Sequence, residues 1–348
     1  MRLFQLLIIL FLVMVPLAAT MAEETQSPDA AIAAPPITAD AINSADLTGF
    51  RPGLPLPADE TGSGTAPPSV MPDPVVVKLQ VLLDRAGASP GVIDGFEGDN
   101  VRKAIWAYQT MNGLPADGAL SPELLAMMQS DDPIIGSYTI TADDVAAIGP
   151  PVPEDYAEKA KLEFLGYASV AEELAERFHM DEDLVRALNP EAAWTEGEAI
   201  AVAAYGPDRE GKVARIEADK QSRQLRAYDE NDVLLVAYPA TIGSDSNPSP
   251  TGTHVVAAVA PMPNYTYNPD VNFQQGDNDK VLIIPPGPNG PVGRMWIDLT
   301  EPTFGIHGTP EPSKIDKTQS HGCVRLTNWD AGELSKMVSP GVPVVFID

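Results

Sequence analysis

Two of the four histidines and the only cysteine of this 348-residue chain fall in one short stretch. It runs from Gly305, Ile306, His307, Gly308 and Thr309 to Ser320, His321, Gly322, Cys323, Val324 and Arg325. A thiol attacks a carbonyl well only as the thiolate, and a free cysteine titrates at about 8.5. The site therefore needs a base or a positive environment, and His307 and His321 are both candidates. Residue types alone leave that choice open. In an extended segment His321 and Cys323 point the same way, yet a turn containing Gly322 can splay them. A residue without Cβ before the nucleophile also lets backbone N–H groups approach a developing oxyanion, which makes the Cys323 amide a candidate donor. A buried core thiol, a structural histidine and a metal trio are the competing readings. Zinc sites want three or four ligands at short recurring spacings. With no second cysteine and no closely spaced histidine pair, metal is the weakest of these readings.

The stretch resembles the active-site signature of the L,D-transpeptidase (YkuD-type) catalytic domain, in which a histidine precedes a Ser/Thr-His-Gly-Cys element by about this spacing. Ser249, Pro250, Thr251, Gly252 and Thr253 look like the family's TPTG element. Residues 284–288 with 290–294 look like its Gly/Pro-rich element, and 341–345 like its closing strand. The resemblance implies that Cys323 is the nucleophile and His307 its general base, with Gly308 orienting the imidazole. It implies that Ser320, His321 and Gly322 shape the oxyanion and substrate pocket. Arg325 stands where many members have Asn, as in the branch resembling enzymes that handle Gram-negative peptidoglycan and its lipoprotein. A planar guanidinium suits a carboxylate of the stem peptide; a structural salt bridge is the alternative. Ser249 for Thr is a minor departure.

The implied chemistry is acyl transfer from a peptidoglycan stem peptide through a thioester, with no cofactor. Stem amine, water and a lipoprotein lysine all remain open as acceptors, giving a 3–3 cross-link, an L,D-carboxypeptidase or hydrolase, or an anchoring ligase. An inert wall-binding scaffold is the non-enzymatic alternative. Peptidoglycan stem peptides and glycan are the expected partners, with an outer-membrane lipoprotein as a further candidate.

The elements that must position these residues read as strands. Alternation predicts 213–218, 224–228 and 233–238 as a meander, with further short strands at 254–259, 281–284, 295–299 and 342–347. One helix is predicted over 328–338, with Asn328 as its cap and Leu334 and Met337 buried. The catalytic domain over 211–348 is thus expected to be mostly β, and sandwich-like by the resemblance. His254 falls on a strand and has no implied role.

Upstream, Val75, Leu79, Leu82 and Leu83 share one helical face, ending near Gly87. A second helix carries Val101, Ile105 and Tyr108, with Asp99 or Asn100 as cap, and a third spans 122–128. Residues 73–131 resemble the small three-helix peptidoglycan-binding domain, in which Trp106 and Tyr108 read as core packing rather than glycan stacking. Residues 138–207 suggest two helices and a closing strand and resemble a degenerate LysM-type α+β module. His179 there reads as a structural or surface histidine.

At the N-terminus Arg2 precedes an apolar run over 6–15 and small residues up to Ala22, which reads as a cleaved signal peptide over 1–22; an uncleaved membrane anchor is the rival. Residues 23–72, rich in Ala, Pro, Ser, Thr and Gly, are expected to be a disordered tether. The chain is then exported, periplasmic and peptidoglycan-associated. Its net charge of −27 argues against nucleic acid, which requires a basic face.

Overall fold

The computed structural model describes residues 36–50, 71–244, 247–271 and 273–348. The expected signal peptide lies outside them. Residues 36–348 form one unit, built from three pieces that pack on one another.

Residues 36–50 depart from the expected disordered tether. Helix α1 (Ala39–Asn43) is capped by Thr38, and a 3-10 turn follows at Leu47–Gly49. Ile37, Ile42, Leu47 and Phe50 are buried in the upstream core. Asn43 adds polar anchorage: its Oδ1 accepts from the amides of Ile134 and Ile135 at 2.8 and 2.9 Å. The low-complexity composition hid four apolar residues that the short helix and the 3-10 turn after it bring into one core.

The three expected helices follow as α2 (Pro74–Arg85), α3 (Asp99–Met111) and α4 (Pro122–Met127). Asp73 caps α2 and Ser121 caps α4. The α3 cap differs from expectation, because Gly98 occupies it without a side-chain bond and Asp99 is already helical. Trp106 and Tyr108 pack against the core, as their packing reading had it.

The middle piece opens with a strand that the residue pattern did not reveal. Strand β1 (Ile135–Thr139) leads through α5 (Ala142–Ala146), α6 (Tyr156–Lys159), α7 (Val170–Arg177) and α8 (Glu182–Leu188) to β2 (Ala199–Ala203). The two strands pair antiparallel, Ile135 opposite Ala203. His179, between α7 and α8, is structural: its Nδ1 lies 2.9 Å from Asp84 Oδ2, and its ring stacks on Tyr205 and Trp329.

The remaining chain forms β3 (Arg215–Asp219), β4 (Gln224–Tyr228), β5 (Leu234–Pro239), β6 (Thr241–Ile242), β7 (Gly252–Pro261), the β8 (Tyr265–Tyr267) and β9 (Leu282–Ile284) hairpin, β10 (Met295–Leu299), β11 (Gly305–His307), β12 (Val324–Arg325), α9 (Asn328–Met337) and β13 (Pro343–Ile347). Nine strands make one sheet in the order β5-β4-β3-β13-β7-β10-β11-β12-β6. Strands β5 and β6 stand at opposite ends of that order, yet only Ala240 separates them in sequence. The sheet must therefore fold over until its two edges meet, which encloses Ile216, Leu225, Val236, Val256, Ile297, Ile306, Val324 and Val344 as the core. Helix α9 covers it with Ala331, Leu334 and Met337. Thr327 caps α9, accepting from the Asp330 amide; the expected cap Asn328 is instead buried, donating to Glu176 Oε2 at 2.7 Å.

Candidate active site

The spacing between His307 and Cys323 has a topological cause. Strands β11 and β12 are parallel neighbours, Ile306 opposite Val324 and His307 opposite Arg325, and parallel neighbours require a crossover between them. His307 ends β11 and Cys323 immediately precedes β12. Side chains alternate along a strand, so Ile306 and Val324 enter the core while His307, Arg325 and Cys323 share the opposite face.

His307 is buried, and its Nδ1 lies 2.6 Å from the Gly308 carbonyl oxygen. A carbonyl only accepts, so Nδ1 carries the hydrogen and Nε2 of the neutral ring is the free acceptor. The ring stacks on Trp296 with centroids 5.5 Å apart. Burial, reinforced by the Arg325 charge, pushes its pKa down to about 3 against the pull of the Gly308 bond.

Cys323 is partly buried, and its Sγ donates to the Thr303 carbonyl at 3.7 Å. Burial raises its pKa, while the Gly305 amide and Arg325 act in the opposite direction. Thr303 sits at φ +73°, a costly backbone for a β-branched residue, and this conformation presents its carbonyl to the thiol.

Ser320 is fully engaged. Its hydroxyl donates to the Cys323 carbonyl at 2.7 Å and accepts from the Gly243 amide at 2.8 Å, so it pins the loop that carries the thiol. Gly322 has φ +105°, and a Cβ there would stand 2.5 Å from the Phe304 ring and 3.2 Å from the Pro248 carbonyl oxygen. Only glycine fits that turn. His321 is exposed and stacks on Phe273 at 3.9 Å and 10°; burial and then Arg325 lower its pKa.

Arg325 has no carboxylate within salt-bridge distance among the described residues, and its buried Nε has no hydrogen-bond partner. Burial lowers its pKa, opposed by Glu311, Cys323 and Tyr156. The salt-bridge reading thus finds no partner among the described residues, and the guanidinium remains a cation beside the thiol.

The structure brings together His307, Gly308, Ser320, His321, Gly322, Cys323 and Arg325. Residue types alone did not point to Thr303, Tyr265 or Phe273. Tyr265 lies close enough to Cys323 for the thiolate to help raise its pKa, after burial. None of the three carries a local signal, since each reaches the site through tertiary packing.

Residues 213–346 match the L,D-transpeptidase catalytic domain family, and residues 72–128 match the putative peptidoglycan binding domain family. A putative L,D-transpeptidase YkuD of Bacillus licheniformis is 35% identical over 130 residues, covering 37% of this chain and 63% of that protein. The probable L,D-transpeptidase YbiS of Escherichia coli is 28% identical over 128 residues, 36% of this chain and 42% of that protein. The chain spans about half the length of the curated relatives it matches. Among solved structures, an L,D-transpeptidase from Mycobacterium smegmatis aligns over 44% of this chain and 76% of its own, with 18% identity and a TM-score of 0.33. The mostly-β region that holds His307 and Cys323 is an L,D-transpeptidase catalytic domain, preceded in the chain by a peptidoglycan-binding domain.

Proposed function

We propose that the protein is a peptidoglycan acyltransferase in which Cys323 attacks the carbonyl of the third stem residue, releases the terminal D-Ala and holds the acyl group as a thioester. His307 takes the thiol proton on Nε2 and returns it to the leaving amine. The Cys323 amide, in the turn that Gly322 permits, faces the developing oxyanion, and His321 borders the cleft. A neighbouring stem amine then resolves the thioester and forms a 3–3 cross-link, while Arg325 holds a stem carboxylate. The observation that carries this reading is the parallel pairing of β11 with β12, which sets His307 opposite Arg325 and Cys323 immediately before β12, with the His307 tautomer set by Gly308.

The peptidoglycan-binding domain supports the wall as the place of action, as an exported, periplasmic protein would require. Helices α7 and α8, which with α5 and α6 lie between the paired strands β1 and β2, support a LysM-like glycan-binding role for 138–207. Water or a lipoprotein lysine as acceptor would use the same acyl-enzyme. Intact-mass detection of a carbapenem adduct on the wild-type protein, absent in Cys323→Ala, tests the nucleophile. Muropeptide profiles of sacculi with and without the protein test the acceptor: a rise in 3–3 dimers supports cross-linking, and a change confined to tripeptides replaces it with hydrolysis.

A further inference from the structure

The connection between β1 and α7, residues 140–169, leaves its own module and lies over the β8–β9 hairpin of the catalytic domain. Its backbone is stitched there: Leu165 donates to the Pro286 carbonyl at 2.9 Å, and Asn289 donates to the Leu165 carbonyl at 3.1 Å. The Tyr156 amide donates to Gln275 Oε1 at 3.1 Å, and Asn278 Nδ2 to Asp155 Oδ2 at 3.0 Å. Gly287 shows how close the approach is, because a Cβ there would stand 2.1 Å from the Leu165 carbonyl oxygen. Leu165, Tyr267 and Ile284 form a small core of their own beneath it.

This docking continues the wall of the thiol cleft. Phe273, stacked on His321, meets the Tyr156 ring edge-on with centroids 6.0 Å apart. Tyr156 also packs edge-on against Tyr265 and Tyr267, and Lys159 Nζ lies 5.5 Å from the Tyr156 centroid. Lys159 is partly buried and has no carboxylate within salt-bridge distance among the described residues. Glu311, whose charge acts on both Lys159 and Arg325, is itself paired with Lys314. A molecule of net charge −27 thus holds, beside this aromatic wall, two cations without a direct ionic partner among the described residues, although Glu311 acts on both and Glu154 on Lys159, an arrangement that favours an anionic ligand.

We propose that Tyr156 and Lys159, carried in by the middle module, are specificity residues that seat the anionic part of the acyl-donor peptide. Tyr156 supplies a flat apolar surface for the peptide backbone, and Lys159 pairs with a carboxylate at a distance from the scissile bond. The inference rests on the reading of the cleft as a stem-peptide site.

The test measures the affinity of the full-length Cys323→Ala protein for a soluble stem tetrapeptide and for the same peptide with its carboxylates amidated. Adding Lys159→Glu is expected to weaken the acidic peptide about tenfold or more, to leave the amidated peptide unaffected, and to be rescued by Lys159→Arg. Unchanged affinity for the acidic peptide, or equal loss for both peptides, overturns the proposal. Carbapenem acylation of the wild-type protein reads the thiol separately. An acylated enzyme that ignores Lys159 overturns this inference alone, and a Lys159-dependent binder that resists acylation overturns the nucleophile alone.

Discussion

Burial lowers the pKa of His307 to about 3 and raises that of Cys323, and both shifts favour the neutral thiol and imidazole over a thiolate–imidazolium pair. The rate of carbapenem acylation should then climb steadily from pH 6 to 9 as the thiolate fraction grows, and show no inflection from His307 above about pH 4. A rate already flat at pH 6 would mean that the ion pair exists. Arg325→Met removes a charge that favours the thiolate and should move the profile to higher pH, readable in the thiolate ultraviolet absorbance. His307→Asn should slow acylation by about a hundredfold or more. At this scale the chemistry-bearing residues were legible because Cys and His are rare in the chain and clustered. Thr303 and Phe273 were not: a strained carbonyl and a stacking ring are defined by neighbours distant in sequence.

Helix α9 illustrates what an element reveals and what it conceals. Its extent, burial stripe and stop were readable from the residues, and alternation located β4 and β10 over the same residues as the structure. Its cap was misread because Asn328, a favoured capping type, is used for a bond to Glu176 in another module. Asp330 on the same helix is buried, and its Oδ2 has no hydrogen-bond partner among the described residues. Burial first, then the charges of Asp84 and Glu333, hold its carboxyl well above the usual range, against the bonds from Thr327 and Ser89. The folded pKa exceeds the unfolded value of about 3.9, so the folded protein binds the proton more tightly. Its contribution to stability is full below that value and is lost as pH rises toward the folded pKa. Asp330→Asn keeps the shape without the charge. Denaturant melts should find the variant more stable than wild type by about 1 kcal/mol at pH 8, with the gain shrinking toward pH 4; equal stability at both pH values would show the carboxyl to be ordinary.

Across the whole molecule, the pieces that look like separate modules in sequence are joined by specific polar and aromatic contacts. Lys103 on α3 pairs with Asp316 of the β11–β12 crossover at 2.7 Å, and Arg226 on β4 lies over the Trp106 ring. His179 joins all three pieces: it belongs to the middle module, bonds Asp84 on α2, and stacks on Trp329 of α9 with centroids 5.2 Å apart. No periodicity or propensity signals such contacts, since each pairs residues far apart in the chain. Linked this way, the modules should unfold together. Tryptophan fluorescence and far-ultraviolet dichroism should give coincident melting curves. His179→Ala removes a hydrogen bond and two ring contacts, a loss of about 2 kcal/mol, and should lower that single transition by about 5 °C. If His179→Ala instead splits the curve into two transitions, this one residue is what makes the modules cooperative. If it leaves the curve untouched, their coupling runs through the Lys103 and Arg226 contacts, and those become the positions where binding at the helical domain would be felt at the thiol.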